Sequence, residues 1–161
     1  MNVVFLSPHF PPTIGTFCVR LREVGATVLG IADAPYDALS AELRGALTEY
    51  YRVDDLHDID GLVRALGYLT HRYGKIDRLD SLNEYWLEIE ARLRTEFNIP
   101  GIRVDGIDRV KRKSHMKRIF ERAGIPVPRG RVCRTAPEAR RFVDDVGFPI
   151  IAKPDVGVGA A

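Results

Sequence analysis

The residues best suited to chemistry lie near the end of the chain. The apolar run Phe148-Pro149-Ile150-Ile151-Ala152 closes on Lys153, and Gly157 and Gly159 follow shortly after. A lysine at the end of a strand, next to a glycine-rich loop, is an arrangement for holding phosphate. The ammonium supplies a fixed charge, and the glycines let backbone N–H groups close on an oxyanion. Upstream, Lys111-Arg112-Lys113 opens a pattern in which Met116, Ile119, Phe120 and Ala123 recur at i, i+3, i+4 and i+7 of a helix. At about 100° per residue, Arg112 and Lys113 both lie towards the Met116/Phe120 face, and Lys111 points away. Geometry therefore leaves two candidates for a second cation. The plainer alternatives are a solvated basic face for the helix start, a snorkelling strand-end lysine for Lys153 and an ordinary linker for the glycines.

A second set of candidates lies in the first part of the chain. In an open parallel sheet, ligands bind beyond the carboxyl ends of the strands, which points to residues 7–13, Asp33 and the Asn83-Glu84 pair. Glu84 is the preferred substrate contact, with a carboxylate suited to an amine or a backbone donor; its alternative role is to complement a helix dipole. His9 would hydrogen-bond substrate in the same mouth, or else serve as a polar loop residue. A dinucleotide cofactor is disfavoured, because the first turn has three prolines and one glycine in residues 7–15 where G-x-G-x-x-G is required. His57, His71 and His115 have no metal-ligand spacing, Cys18 and Cys133 lie far apart, and no Ser-His-Asp or Cys-His set is identifiable. No metal ligand and no catalytic residue is assigned from these 161 residues.

These side chains need a scaffold, and the apolar pattern supplies one. Strands are expected at residues 2–7, 27–32, 50–53 and 77–82. Helices are expected between them: one with the stripe Phe17, Leu21, Val24, then 41–47, 59–73 and 84–97. The alternation predicts an α/β domain with an open, mostly parallel sheet. The boundary falls at Asn98-Ile99-Pro100-Gly101, giving domains 1–102 and 103–161. Beyond it the pattern predicts a helix over 105–123 stopped by Gly124 and Pro126, a strand at 131–134, a helix over 137–146 and a strand at 149–153. A chain ending just after a strand and a glycine-rich loop reads as incomplete.

Taken in order, the basic helix start, the turn Ala123-Gly124-Ile125-Pro126-Val127-Pro128, the strand Phe148 to Lys153 and the glycines resemble the ATP-grasp superfamily of ligases. The resemblance is close over residues 105–161 and looser over the front part, which is similar to the family's preceding Rossmann-like domain. It lies nearest the biotin carboxylase and carbamoyl phosphate synthetase large-chain branch. None of the plainer alternatives explains the shared order. The resemblance selects Lys113 over Arg112 and implies that Lys113, Lys153, Gly157 and Gly159 bind ATP. It further implies an acyl-phosphate mechanism joining a carboxylate to an amine or similar nucleophile, Mg²⁺ held by residues of the complete protein, and homodimerisation. On this reading the 161 residues alone are inactive.

Composition sets limits on the alternatives. Residues 1–102 hold ten Lys/Arg and fifteen Asp/Glu, and residues 103–161 hold fourteen and seven. The basic second part suits an anionic ligand. Nucleic acid is disfavoured because only Phe120, Phe142 and Phe148 supply aromatics there. No apolar run reaches the roughly 18 residues of a membrane span and no leader is evident, so a cytoplasmic protein with reduced thiols is expected. A biotin-dependent carboxylase is a second enzyme reading. A non-catalytic nucleotide-sensing or protein-interaction module is the reading from another class.

Overall fold

The computed structural model describes residues 1–157. The chain forms two compact units, Met1–Asp105 and a second that begins at Gly106. In the first, β1 (Asn2–Leu6), β2 (Thr27–Ala32), β3 (Glu49–Arg52) and β4 (Arg78–Asp80) form one parallel sheet in the order β3-β2-β1-β4. Val4 of β1 lies opposite Leu29 of β2 and Leu79 of β4. The predicted open parallel α/β sheet is therefore present.

The unbroken apolar run of β1 follows from burial on both faces. Val3 and Phe5 join Ile14 and Cys18 of α1 (Ile14–Glu23) and Leu43 of α2 (Ala41–Ala46) in one cluster. Val4 and Leu6 join Leu62, Leu66 and Leu69 of α3 (Ile59–Tyr73) and Leu93 of α4 (Leu87–Glu96) in the other. Alternate residues thus pack on opposite helix layers. The expected α1 stripe is corrected in part: Leu21 packs against the core as expected, but Phe17 and Val24 are 56% and 79% exposed, and the fully inward positions are Ile14 and Cys18. Only one arc of a helix faces a sheet, and the flush Ile14/Cys18 line occupies it. Burial also pushes the Cys18 thiol up to about 11.

β4 is shorter than predicted. The Ser81 N–H leaves the ladder for the Glu90 carboxylate, and Leu82 takes φ 54°, which turns the chain out of the sheet. A 3-10 turn, Glu84–Trp86, leads into α4.

The chain enters the second unit through α5 (Val104–Lys111), followed by α6 (Lys113–Arg122) and α7 (Ala136–Val146). The single helix expected over 105–123 is broken at Arg112, which is extended at φ −88°, ψ 115°. The helical arc drawn through residues 111–113 therefore does not apply: Lys111 ends one helix and Lys113 opens the next. Gly124, at φ 73°, stops α6 as predicted. The strands expected at 131–134 and 149–153 do not form. A strand needs a ladder partner for its N–H and C=O groups, and among the described residues neither segment has one. No residue of α6 or α7 is buried. No helix among the described residues is long and apolar enough to cross a membrane.

Candidate functional site

In the second unit the first turn of α6 meets the segment after Lys153. The Lys113 N–H donates to the Asp155 carbonyl at 3.0 Å, and Lys113 Nζ donates to the Gly157 carbonyl at 3.1 Å. Ser114 donates from its backbone N to Asp155 Oδ1 at 2.8 Å and from Oγ to Oδ2 at 3.1 Å. Arg112 Nη1 lies 3.7 Å from the same carboxylate. A carboxylate and a carbonyl from a distant segment thus satisfy N–H groups that a helix start leaves without intrahelical partners. That is the physical reason a second helix can begin immediately after Lys111. With one donor on Gly157, the Lys113 ammonium keeps two for a ligand. Lys153 is exposed and has no partner among the described residues. The structure therefore joins Lys113 to Gly157 and leaves Lys153 free at the head of the same loop. Gly159 lies outside the described residues.

The Ser114 N–H, Ser114 hydroxyl, Arg112 and His115 hold the Asp155 carboxyl below the ordinary carboxylate range against its slight burial, the Ser114 N–H contributing most. Because the folded value is lowered, its stabilisation is complete above the unfolded value of about 4 and fades as pH falls through the folded value. Asp155→Ala is expected to lower protection of the Ser114 amide from hydrogen exchange at pH 7 by an amount equivalent to about 1 kcal/mol. The difference from the parent should shrink at a pH below the folded value, where the neutral carboxyl is a weaker acceptor. A difference of the same size at both pH values would show that the carboxylate charge is not its source.

In the first unit the candidates lie at the carboxyl ends of β1 and β4, adjacent strands that flank the reversal of strand order. After β1, Ser7 takes φ 51° and donates its N–H to the Ile31 carbonyl at 2.9 Å. His9 is partly buried, and its Nδ1 is buried with no hydrogen-bond partner among the described residues. After β4, Asn83 Oδ1 accepts from the Tyr85 N–H at 3.0 Å and so opens the turn that carries Glu84. Glu84 is exposed, and its carboxylate has no partner among the described residues. Topology places the His9 and Glu84 loops at the same end of neighbouring strands.

Two further constellations escaped the sequence reading. Asp55 Oδ1 accepts from both the backbone N–H and Nδ1 of His57, each at 2.8 Å. That contact puts the ring proton on Nδ1, so Nε2 accepts from the Tyr85 hydroxyl at 2.9 Å. Tyr85 and Trp86 stack edge to face with centroids 4.6 Å apart. The start of α3 is thereby tied to the turn that carries Glu84, through residues too far apart in sequence to be paired by spacing.

The second is a buried ion network. Glu90 is fully buried and Arg94 is 6% exposed. Glu90 Oε2 pairs with Arg94 Nη2 at 2.8 Å, and Oε1 accepts from the Ser81 N–H at 2.8 Å and from the Ser81 hydroxyl. Arg94 Nε and Nη2 donate to the Leu79 carbonyl at 3.0 and 2.6 Å, and Nη2 lies 3.3 Å from Asp80 Oδ2. Gly101, at φ 139°, lets the chain pass: a Cβ there would sit 2.9 Å from Arg94 Cδ. Burial raises the Glu90 carboxyl above its ordinary range, opposed by its Ser81 and Arg94 partners. A sequence signal existed, because residues 90 and 94 share a helix face with Leu87 and Ala91.

No family model matches the chain. It is 28% identical to the uncharacterised protein y4rH of Sinorhizobium fredii over 88% of its own length and 28% of that protein. It is 33% identical to the carbamoyl phosphate synthase large chain of Deinococcus radiodurans over 61 residues, 38% of this chain and 6% of that one. The chain thus spans only a minor part of the curated relatives it matches. Among solved structures, the biotin carboxylase domain of the Hydrogenobacter thermophilus 2-oxoglutarate carboxylase, a dimer with MgADP, ADP and bicarbonate, superposes with a TM-score of 0.73 at 20% identity. That match covers 98% of this chain and 35% of that one. The L-amino acid ligase of Bacillus licheniformis gives a TM-score of 0.66 at 16% identity, over 98% of this chain and 38% of that one. The chain therefore has the fold of the N-terminal portion of the ATP-grasp ligases.

Proposed function

We propose that the chain is the N-terminal part of a longer ATP-dependent carboxylate–amine ligase, with residues 1–102 as the substrate-side domain and residues 103–161 as the opening of the ATP-binding domain. The observation that carries this reading is the junction at α6, where Lys113 reaches the Gly157 carbonyl and Asp155 seats the loop after Lys153 on the helix start. Lys113 and Lys153 bind the nucleotide phosphates, and Gly157 and Gly159 close over them. The exposed apolar residues Ile119, Phe120, Phe148 and Ile151 support a longer chain, since a complete domain would cover them.

In the proposed reaction a substrate carboxylate attacks the γ-phosphate of ATP and expels ADP, and the neutral amine then displaces phosphate from the acyl-phosphate, losing a proton as the amide forms. Lys113 and Lys153 orient the polyphosphate and offset charge during transfer, as positioning groups rather than acids or bases. Glu84 and His9 contact a small-molecule substrate at the β1/β4 crevice. The match to an L-amino acid ligase makes amino acids the first substrates to test. Among the described residues no three His, Cys, Asp or Glu converge on a metal position, and no step is assigned through a metal. A homodimer is proposed by analogy with the dimeric biotin carboxylase domain.

The test is Mg-ATP-dependent phosphate release by the complete protein with a panel of L-amino acids as carboxylate and amine donors. Release above the ATP-only rate is expected with at least one of them. ATP binding without stimulated release across amino acids and bicarbonate would favour the nucleotide-sensing module.

A further inference from the structure

We propose that Glu90 and Arg94 are positioning residues, which hold the turn after β4 in the one conformation that presents Glu84 to an amine-bearing substrate. The inference rests on Glu84 being a substrate contact and adds the device that places it.

A buried ion pair is a poor source of stability, because desolvating both charges offsets most of their attraction, and an apolar pair of similar volume does as well. What this pair does provide is direction. Its hydrogen bonds go to the main chain at the end of β4: Arg94 takes the Leu79 carbonyl twice, and Glu90 takes the Ser81 N–H and hydroxyl. Links then run outward along the turn. Ser81 Oγ accepts from the Asn83 N–H at 3.1 Å, Asp80 Oδ1 accepts from the Leu82 N–H at 2.9 Å, and Asn83 Oδ1 accepts from the Tyr85 N–H at 3.0 Å. Leu82 sits at φ 54°, a conformation a leucine adopts only where its surroundings impose it.

The turn is thus fixed from its buried side, residue by residue, up to Glu84. On the outer side the arrangement reverses, for Glu84 itself is exposed and bonded to nothing among the described residues. A carboxylate whose backbone is constrained and whose oxygens are free suits an ammonium or amide donor arriving from solvent.

The experiment compares Glu84→Ala with the double variant Glu90→Leu/Arg94→Met in the complete protein. Its assay substrate is the L-amino acid that gives the largest ATP-dependent phosphate release. The double variant should stay folded and be more stable than Arg94→Met alone, while its KM for the amino acid rises about tenfold and its KM for ATP is unchanged. Glu84→Ala should raise the same KM. If Glu84→Ala raises KM and the folded double variant does not, the positioning role is overturned and the Glu84 contact stands. If Glu84→Ala leaves KM unchanged, the contact itself falls, and the positioning role with it. Should the double variant fail to fold, Ser81→Ala takes its place: it cuts the link from Glu90 to Asn83, so a raised amino acid KM supports the proposal and an unchanged one overturns it.

Discussion

Replacing Lys113 or Lys153 by alanine is expected to weaken ATP binding to the complete protein about ten- to a hundredfold. A hydrogen bond from a charged donor contributes about 1.5–3 kcal/mol, and each 1.4 kcal/mol is a factor of ten. The two variants should differ in one respect. Lys153 is exposed and without a partner among the described residues, so its loss removes no internal contact and should leave the melting temperature where it was. Lys113 also holds the Gly157 carbonyl, so its loss frees the loop as well as the charge, and its effect on affinity should be the larger. Titration calorimetry with ATP separates the cases. Unchanged affinity in both variants would sink the nucleotide reading, whatever the fold.

The strands and helices of the first unit were legible because their apolar periods are imposed by two-sided burial. Val3 to Leu6 must be continuous where helices cover both faces, and α3 reads from Ile59 to Tyr73 because Leu62, Leu66 and Leu69 repeat on one side. What failed was whatever depends on partners distant in sequence. Nothing near Arg112 announces a break, because the groups that make it tolerable belong to Asp155, 41 residues on from Ser114. The segments at 131–134 and 149–153 have strand-like composition, yet composition cannot supply a neighbour. On α1, Phe17 is the more apolar choice, but Cys18 is the one that faces the sheet. At the candidate site, Lys153 and Glu84 could be named because each ends or follows a predicted element. The Asp55–His57–Tyr85 chain joins two such ends across the fold and left no local trace.

The largest effect on stability is expected from Arg94→Met alone. Removing one member of a buried pair leaves the other charge without its partner, which costs about 3–5 kcal/mol against a total of about 5–15 kcal/mol for a domain. Urea unfolding at pH 7 should show that loss as a lower midpoint. The cause can be read from the pH dependence. With Arg94 gone, burial dominates and the Glu90 carboxyl moves further up. A raised folded value means that stability is complete below the unfolded value of about 4.3 and is lost as pH rises through the folded value. The deficit of Arg94→Met should therefore be smaller at pH 5 than at pH 7. An equal deficit at both would assign the loss to packing of the arginine stem, not to the stranded carboxylate. Adding Glu90→Leu should recover most of the stability, a non-additivity that only directly interacting residues show. Stability recovered in that double variant, with amino acid affinity still impaired, would separate what the pair does for the fold from what it does for the turn.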